Sequence, residues 1–183
     1  SVTGRSIEID VPGTSRLLAV TRLDGGQLLA CGTHGALVVV EGGEARDVPW
    51  GRTGHLYAAV SSPDGGAFAV GSGGHALAIA APPPALRGVA PPATLEAVQT
   101  TRDLLGVTVD DAGVAWAIGA QGRLLARRAG TWSRVPVELG SANLIAVATR
   151  EVPRALSNTD GPRVREVVVL AEDGTVVEVR LGD

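Results

Sequence analysis

The sequence predicts an all-β chain made of four repeats of a four-stranded unit. A recurring phrase, its spacing and the two chain ends predict this. The phrase Ala30-Cys31-Gly32-Thr33-His34-Gly35-Ala36-Leu37 returns as Ala69–Leu77 and as Ala117–Leu124, and in a worn form as Val169–Val176. Val20, Val60, Val107 and Val147 align ahead of these copies, with steps of 40, 47 and 40 residues. A fixed period of this size marks a repeat architecture, in which each unit buries its apolar face against its neighbour. Short apolar runs bounded by Gly, Asp and Pro favour strands, and no segment holds a helical period.

The elements follow in order. The first strand of each unit is expected at Leu17–Leu23, Tyr57–Ser62, Leu104–Val109 and Leu144–Thr149. Asp24-Gly25-Gly26, Asp64-Gly65-Gly66 and Asp111-Ala112-Gly113 then supply hairpin turns, because such residues tolerate the positive φ that these turns need. The second strand is expected at Gln27–Gly32, Ala67–Gly71, Val114–Gly119 and Glu166–Ala171. The third is expected at Ala36–Glu41, His75–Ala80, Arg123–Arg128 and Thr175–Leu181. The fourth, outer strand is expected at Glu44–Pro49, Leu86–Ala90 and Trp132–Val137, and the last unit has none after it. At the other end of the chain, residues 6–12 align with Glu44–Pro49 and with Trp132–Pro136. Placed beside the last unit, they are expected to supply its outer strand and close a ring, which removes an open sheet edge. The domain is then a single one over 1–183, with units near 17–49, 56–91, 104–138 and 144–181.

The third unit carries a family resemblance: Leu105-Gly106-Val107, Gly113–Gly119 with Trp116, Gly122-Arg123-Leu124-Leu125, and Gly130-Thr131-Trp132. It resembles β-propeller blades of the superfamily of bacterial neuraminidase-type, photosystem-assembly-factor-like and tectonin-like repeats. The resemblance implies a propeller with four four-stranded blades in this chain. Two other arrangements use the same units: a larger ring with blades elsewhere, or two chains forming one eight-bladed homodimeric ring. A propeller fold does not name an activity.

Composition limits the function classes. The chain has 183 residues, 45% hydrophobic and 19% charged, enough for a folded core. A net charge of -3 and a pI of about 5.6 give no basic face for nucleic acid. No apolar run approaches the ~20 residues of a membrane helix, so no membrane partner is expected. Cys31 is expected as a buried apolar residue. The lack of methionine suits a processed product or part of a longer chain. The cytoplasm is slightly favoured as compartment, although nothing in the sequence fixes it.

In propellers, the loop between the second and third strands and the loop entering the next blade share a rim. The residues expected there are Arg16, His34, Arg52, His55, Ser72, Arg102, Asp103, Gln121, Asn143 and Asp173. No cofactor is expected. His34, His55 and His75 lack zinc-site spacing, so no metal is expected either. A sialidase reading would need a Ser-x-Asp-x-Gly-x-Thr-Trp motif, but Arg127–Trp132 lacks its Asp and is a residue short. Its tyrosine nucleophile would have to be Tyr57, the one tyrosine, on an inner strand. A tectonin-like lectin would need exposed aromatics for stacking, which leaves Trp50 and Trp132. Two stretches break the repeat: proline-rich Ala81–Pro92, and a 151–165 insertion in the last unit. The expected function is thus a non-catalytic scaffold that binds a protein, or further domains of the same polypeptide, through the rim. The alternatives are a lectin or a glycoside-hydrolase-like enzyme.

Overall fold

A computed structural model describes residues 8–11, 15–82, 88–152 and 164–181. Among the described residues fifteen strands form four antiparallel sheets. Blade 1 holds β1 (Leu17–Arg22), β2 (Leu28–Gly32), β3 (Leu37–Glu41) and β4 (Glu44–Asp47). Blade 2 holds β5 (Leu56–Ser61), β6 (Ala67–Gly71), β7 (Ala76–Ile79) and β8 (Ala93–Glu96). Blade 3 holds β9 (Leu104–Val109), β10 (Ala115–Gly119), β11 (Arg123–Arg128) and β12 (Thr131–Arg134). Blade 4 holds β13 (Leu144–Val152), β14 (Val164–Ala171) and β15 (Val176–Leu181). Within every blade the strands pair in chain order, as tight hairpins dictate.

Two expectations are corrected. The outer strand of blade 2 is Ala93–Glu96, not Leu86–Ala90, and it pairs Ile79 with Ala93. Residues 83–87 lie outside the described residues, and Gly88–Ala90 form no strand. Proline lacks the N–H a ladder needs. The run that reached the sheet is therefore the proline-free one after Pro92, whose carbonyl accepts the Ala80 N–H at 3.1 Å. Blade 2 accordingly extends past 91. The second correction concerns register. Each first strand carries a one-residue bulge, at Leu18, Tyr57, Leu105 and Ile145. Pairing aligns Leu17, Leu56, Leu104 and Leu144, opposite Gly32, Gly71, Gly119 and Ala171. Val20 therefore matches Ala59, not Val60. A slip of one residue exchanges the two faces of a strand, so this decides which side chains meet.

Blade 4 has three strands among the described residues. Of the segment expected to complete it, Glu8–Val11 form no strand, and residues 6, 7 and 12 lie outside the described residues. Pairing of β13 with β14 runs on to Val152 opposite Val164, so part of the 151–165 insertion is a longer hairpin and 153–163 lie outside the described residues.

The core lies between blades. Leu29, Cys31, Leu37 and Val39 on the leading face of blade 1 meet Leu56, Ala67, Ala69 and Leu77 on the trailing face of blade 2. Phe68, Val70 and Ala76 meet Leu104, Ala115, Ala117 and Leu125 in the same way at the next joint. Trp116, Ile118 and Leu124 meet Leu144, Val167 and Val169 at the third. Along the first strands β1 packs on β5, β5 on β9 and β9 on β13, whereas among the described residues no comparable packing joins β13 to β1. Within the described residues the blades form an arc with three joints.

Candidate functional site

The rim is built from the residue before each first strand and the turn after each second strand. In blades 1 to 3 this turn places two successive residues at positive φ: His34 and Gly35, Gly73 and Gly74, Gln121 and Gly122. This is the left-handed hairpin geometry in which glycine is cheapest. The second of the pair must be glycine for another reason. A Cβ there would stand 2.5 Å from the Arg52 carbonyl oxygen at Gly35, 2.1 Å from that of Thr100 at Gly74, and 2.2 Å from that of Gly140 at Gly122. The incoming loop lies directly on the turn.

The turn also points its middle N–H at the next blade. His34 N–H donates to His55 Nδ1 at 3.1 Å, Gly73 N–H to Asp103 Oδ1 at 2.8 Å, and Gln121 N–H to Asn143 Oδ1 at 3.2 Å. His55, Asp103 and Asn143 each directly precede a first strand, so three chemically different acceptors occupy one structural position. Each is anchored in its own blade too. The carbonyls of Arg16, His55, Asp103 and Asn143 accept the N–H of Thr33, Ser72, Ala120 and Glu172 at 2.8 to 3.0 Å. Ser72 Oγ accepts the His55 N–H at 2.9 Å, and Asn143 Nδ2 donates to Glu172 Oε2 at 2.9 Å. The arrangement latches each blade to the one before it.

Six of the ten rim residues expected from the sequence thus belong to latches: His34, His55, Ser72, Asp103, Gln121 and Asn143. His55, with Nδ1 accepting, carries its neutral-ring proton on Nε2. Its ring stands edge-on to His34 with centroids 5.3 Å apart. Asp103 also accepts the Tyr57 hydroxyl at 3.4 Å. Burial, helped by the Asp103 charge, raises the Tyr57 pKa and keeps the phenol protonated. Arg52 and Arg102 are exposed on the incoming loops. Arg52 borders an open groove of about 500 Å³ with His34, Leu37 and Trp50. Trp50 and Trp132 are buried, with their indole N–H groups on the Gly35 carbonyl and on Glu96. Among the described residues no three His, Cys, Asp or Glu side chains converge to hold a metal. No helix of the described residues is long and apolar enough to cross a membrane.

Arg16 and Asp173 depart from the latch pattern. Arg16 occupies the acceptor position of blade 1 but carries a cation, and its guanidinium makes no bond among the described residues. In blade 4 the turn has the same length and the other hand, with only Gly174 at positive φ. Space around Gly174 is open, and the Asp173 carboxylate accepts the Thr175 N–H at 2.9 Å. That bond lowers the Asp173 pKa.

The same two ends carry bare apolar side chains. Leu17 is 39% exposed, whereas Leu56, Leu104 and Leu144 at its position are at most 1% exposed. Leu28 is 40% exposed against at most 1% for Ala67, Ala115 and Val167. Val20 is 64% exposed on the same trailing face of blade 1, although Ala30 and Val38 farther out on it are buried. On the leading face of blade 4, Val176 is 61% exposed, and its equivalents Leu37, Ala76 and Leu124 at most 2%. Farther along that face Glu166 is clamped by Arg150 and Arg180, each at 2.7 Å, which lowers its pKa. The sequence reading missed both faces. Leucine at 28, where equivalent positions are small, was the available signal.

No protein-family model and no curated protein matches the sequence. Solved structures do. YCF48 from Cyanidioschyzon merolae matches with a TM-score of 0.63 and 17% identity, over 88% of this chain and 50% of that one. A protein of unknown function from Bacteroides caccae matches with a TM-score of 0.51 and 14% identity, over 92% of this chain and 61% of that one. The fold is that of propeller blades. The chain spans half the length of the YCF48 chain, and identity this low carries the fold alone.

Proposed function

We propose that the chain is a non-catalytic propeller module that binds another protein. The observation that carries the reading is the pair of bare faces. Leu17, Leu28 and Val176 stand exposed at the two ends of the arc, at positions that are buried wherever a neighbouring blade is present. Contiguous exposed apolar surface marks interaction sites. The rim supports the reading by what its polar groups already do. The imidazole of His55, the carboxylate of Asp103 and the amide of Asn143 are held by latch bonds, which leaves Arg16, Arg52 and Arg102 as the exposed rim cations open to a partner. The binding surface is therefore the end faces, with the rim beside them. Burial of Trp50 and Trp132 removes the aromatics on which a lectin reading depended.

Chemical cross-linking of the purified chain, with and without candidate partners, tests this. The expected result is adducts that map to the faces around Val20 and Val176 and are lost in a Val20→Asp, Val176→Asp variant. Turnover of a glycoside that survives those substitutions would contradict it.

A further inference from the structure

The two bare faces are complementary. At each of the three joints a backbone donor on the turn of one blade meets an acceptor at the head of the next: His55, Asp103 or Asn143. At the ends of the arc both members change sign together. The head of blade 1 offers the Arg16 guanidinium, a donor only, and the turn of blade 4 offers the carboxylates of Glu172 and Asp173. A joint of blade 4 on blade 1 would place Arg16 where it meets that turn, with charge-assisted bonds in place of an N–H on a neutral or anionic acceptor. The apolar sets match as well. Val168, Leu170 and Val176 hold the positions of Leu29, Cys31 and Leu37, which cover the trailing face of blade 2 at the first joint. Leu17, Val20 and Leu28 hold the trailing positions of blade 1. Among the described residues β13 and β1 make no packing like that at the three joints.

We propose that the joint forms between two copies: blade 1 of each chain docks on blade 4 of the other, Arg16 faces the partner's Asp173, and eight blades close one ring. This rests on the protein-binding reading and names its partner. A head-to-tail contact used twice closes with two-fold symmetry and leaves no open face. Eight blades are within the range of known propellers.

Light scattering over a micromolar concentration series tests it. Wild type is expected at twice the 18.5 kDa chain mass. Arg16→Asp places like charges against the partner turn and is expected to weaken the dimer by at least about tenfold. Asp173→Arg alone is expected to do the same, and the double variant to restore the dimer. Because Asp173 also holds the Thr175 N–H, Val176→Asp reads the same joint without touching the turn and is expected to give a folded monomer. A wild type that stays a folded monomer throughout overturns the two-copy ring. So does a double variant no better than either single one. Neither result touches the broader reading, which fails if the cross-linking above finds no adduct at the end faces with any protein.

Discussion

The joint between blades 2 and 3 and the bare face of blade 1 are made from equivalent positions with different environments. At the joint, Leu104 is fully buried and Asp103 accepts the Gly73 N–H at 2.8 Å. At the bare face, Leu17 is 39% exposed and the Arg16 guanidinium reaches no partner among the described residues. The repeat unit is thus not self-sufficient. Each blade shows an apolar face on either side, and stability arises when neighbours cover both. What differs between the two regions is the side chain at the latch. Acceptors mark the three joints made within the chain, and the lone cation stands at the face that no blade covers among the described residues.

The comparison breaks most visibly on substitution of the leucine at the head of each blade. In dilute monomer, Leu104→Ala should cost about 2–5 kcal/mol by denaturant unfolding, as a fully buried leucine does. Leu17→Ala under the same conditions should cost about 1 kcal/mol or less, because its site is already wet. Equal losses would mean that Leu17 is covered in the monomer. Removing the latch should show a smaller contrast. Asp103→Ala leaves the Gly73 N–H without its acceptor and should cost about 1–2 kcal/mol. Asp103→Asn should recover most of that loss, and Arg16→Ala should change stability by no more than ~0.5 kcal/mol. Urea melts of the three variants check this.

Two further effects are smaller and concern single residues. Ala129 adopts φ of 47° in the turn between β11 and β12, ahead of Gly130 at 79°. Asn-Gly suits this turn, so Ala129→Asn should raise stability by about 0.5–1 kcal/mol in a thermal melt. Cys31 lies in the first joint, where burial pushes its thiol pKa to about 12. The folded value exceeds the ordinary thiol range, so its effect on stability is nil at neutral pH. As pH climbs from that range towards about 12, the unfolded chain loses the proton first and stability falls. A thiol reagent at mildly alkaline pH should leave Cys31 unmodified until the chain unfolds, since the thiolate is the reactive form.

Much of the architecture was legible in the sequence. Gly32, Gly71 and Gly119 mark the ends of second strands, and the turns after them follow from His34-Gly35, Gly73-Gly74 and Gln121-Gly122. The register of the first strands was not legible, because a bulge at Leu18, Tyr57, Leu105 and Ile145 adds a residue that no turn residue announces. Matching Val20 to Val60 instead of Ala59 followed from that. The outer strand of blade 2 was misplaced because Leu86–Ala90 is apolar enough for a strand but is flanked by prolines on both sides. The latch role of six of the rim residues was hidden. His, Asp and Asn share no residue-type signature, only the ability to accept one hydrogen bond. Arg16 could have been picked out as the exception once those three were aligned.

The central claim is that blade 4 does not pack on blade 1 of the same chain. Cysteines placed at Val20 and Val176, with buried Cys31 left in place, allow it to be measured with a short bis-maleimide followed by mass analysis under denaturing conditions. The account predicts covalent dimers joined through these two positions, and no bridge inside a single chain. A bridge formed within the monomer at high dilution would mean that four blades close a ring alone, and would contradict the account.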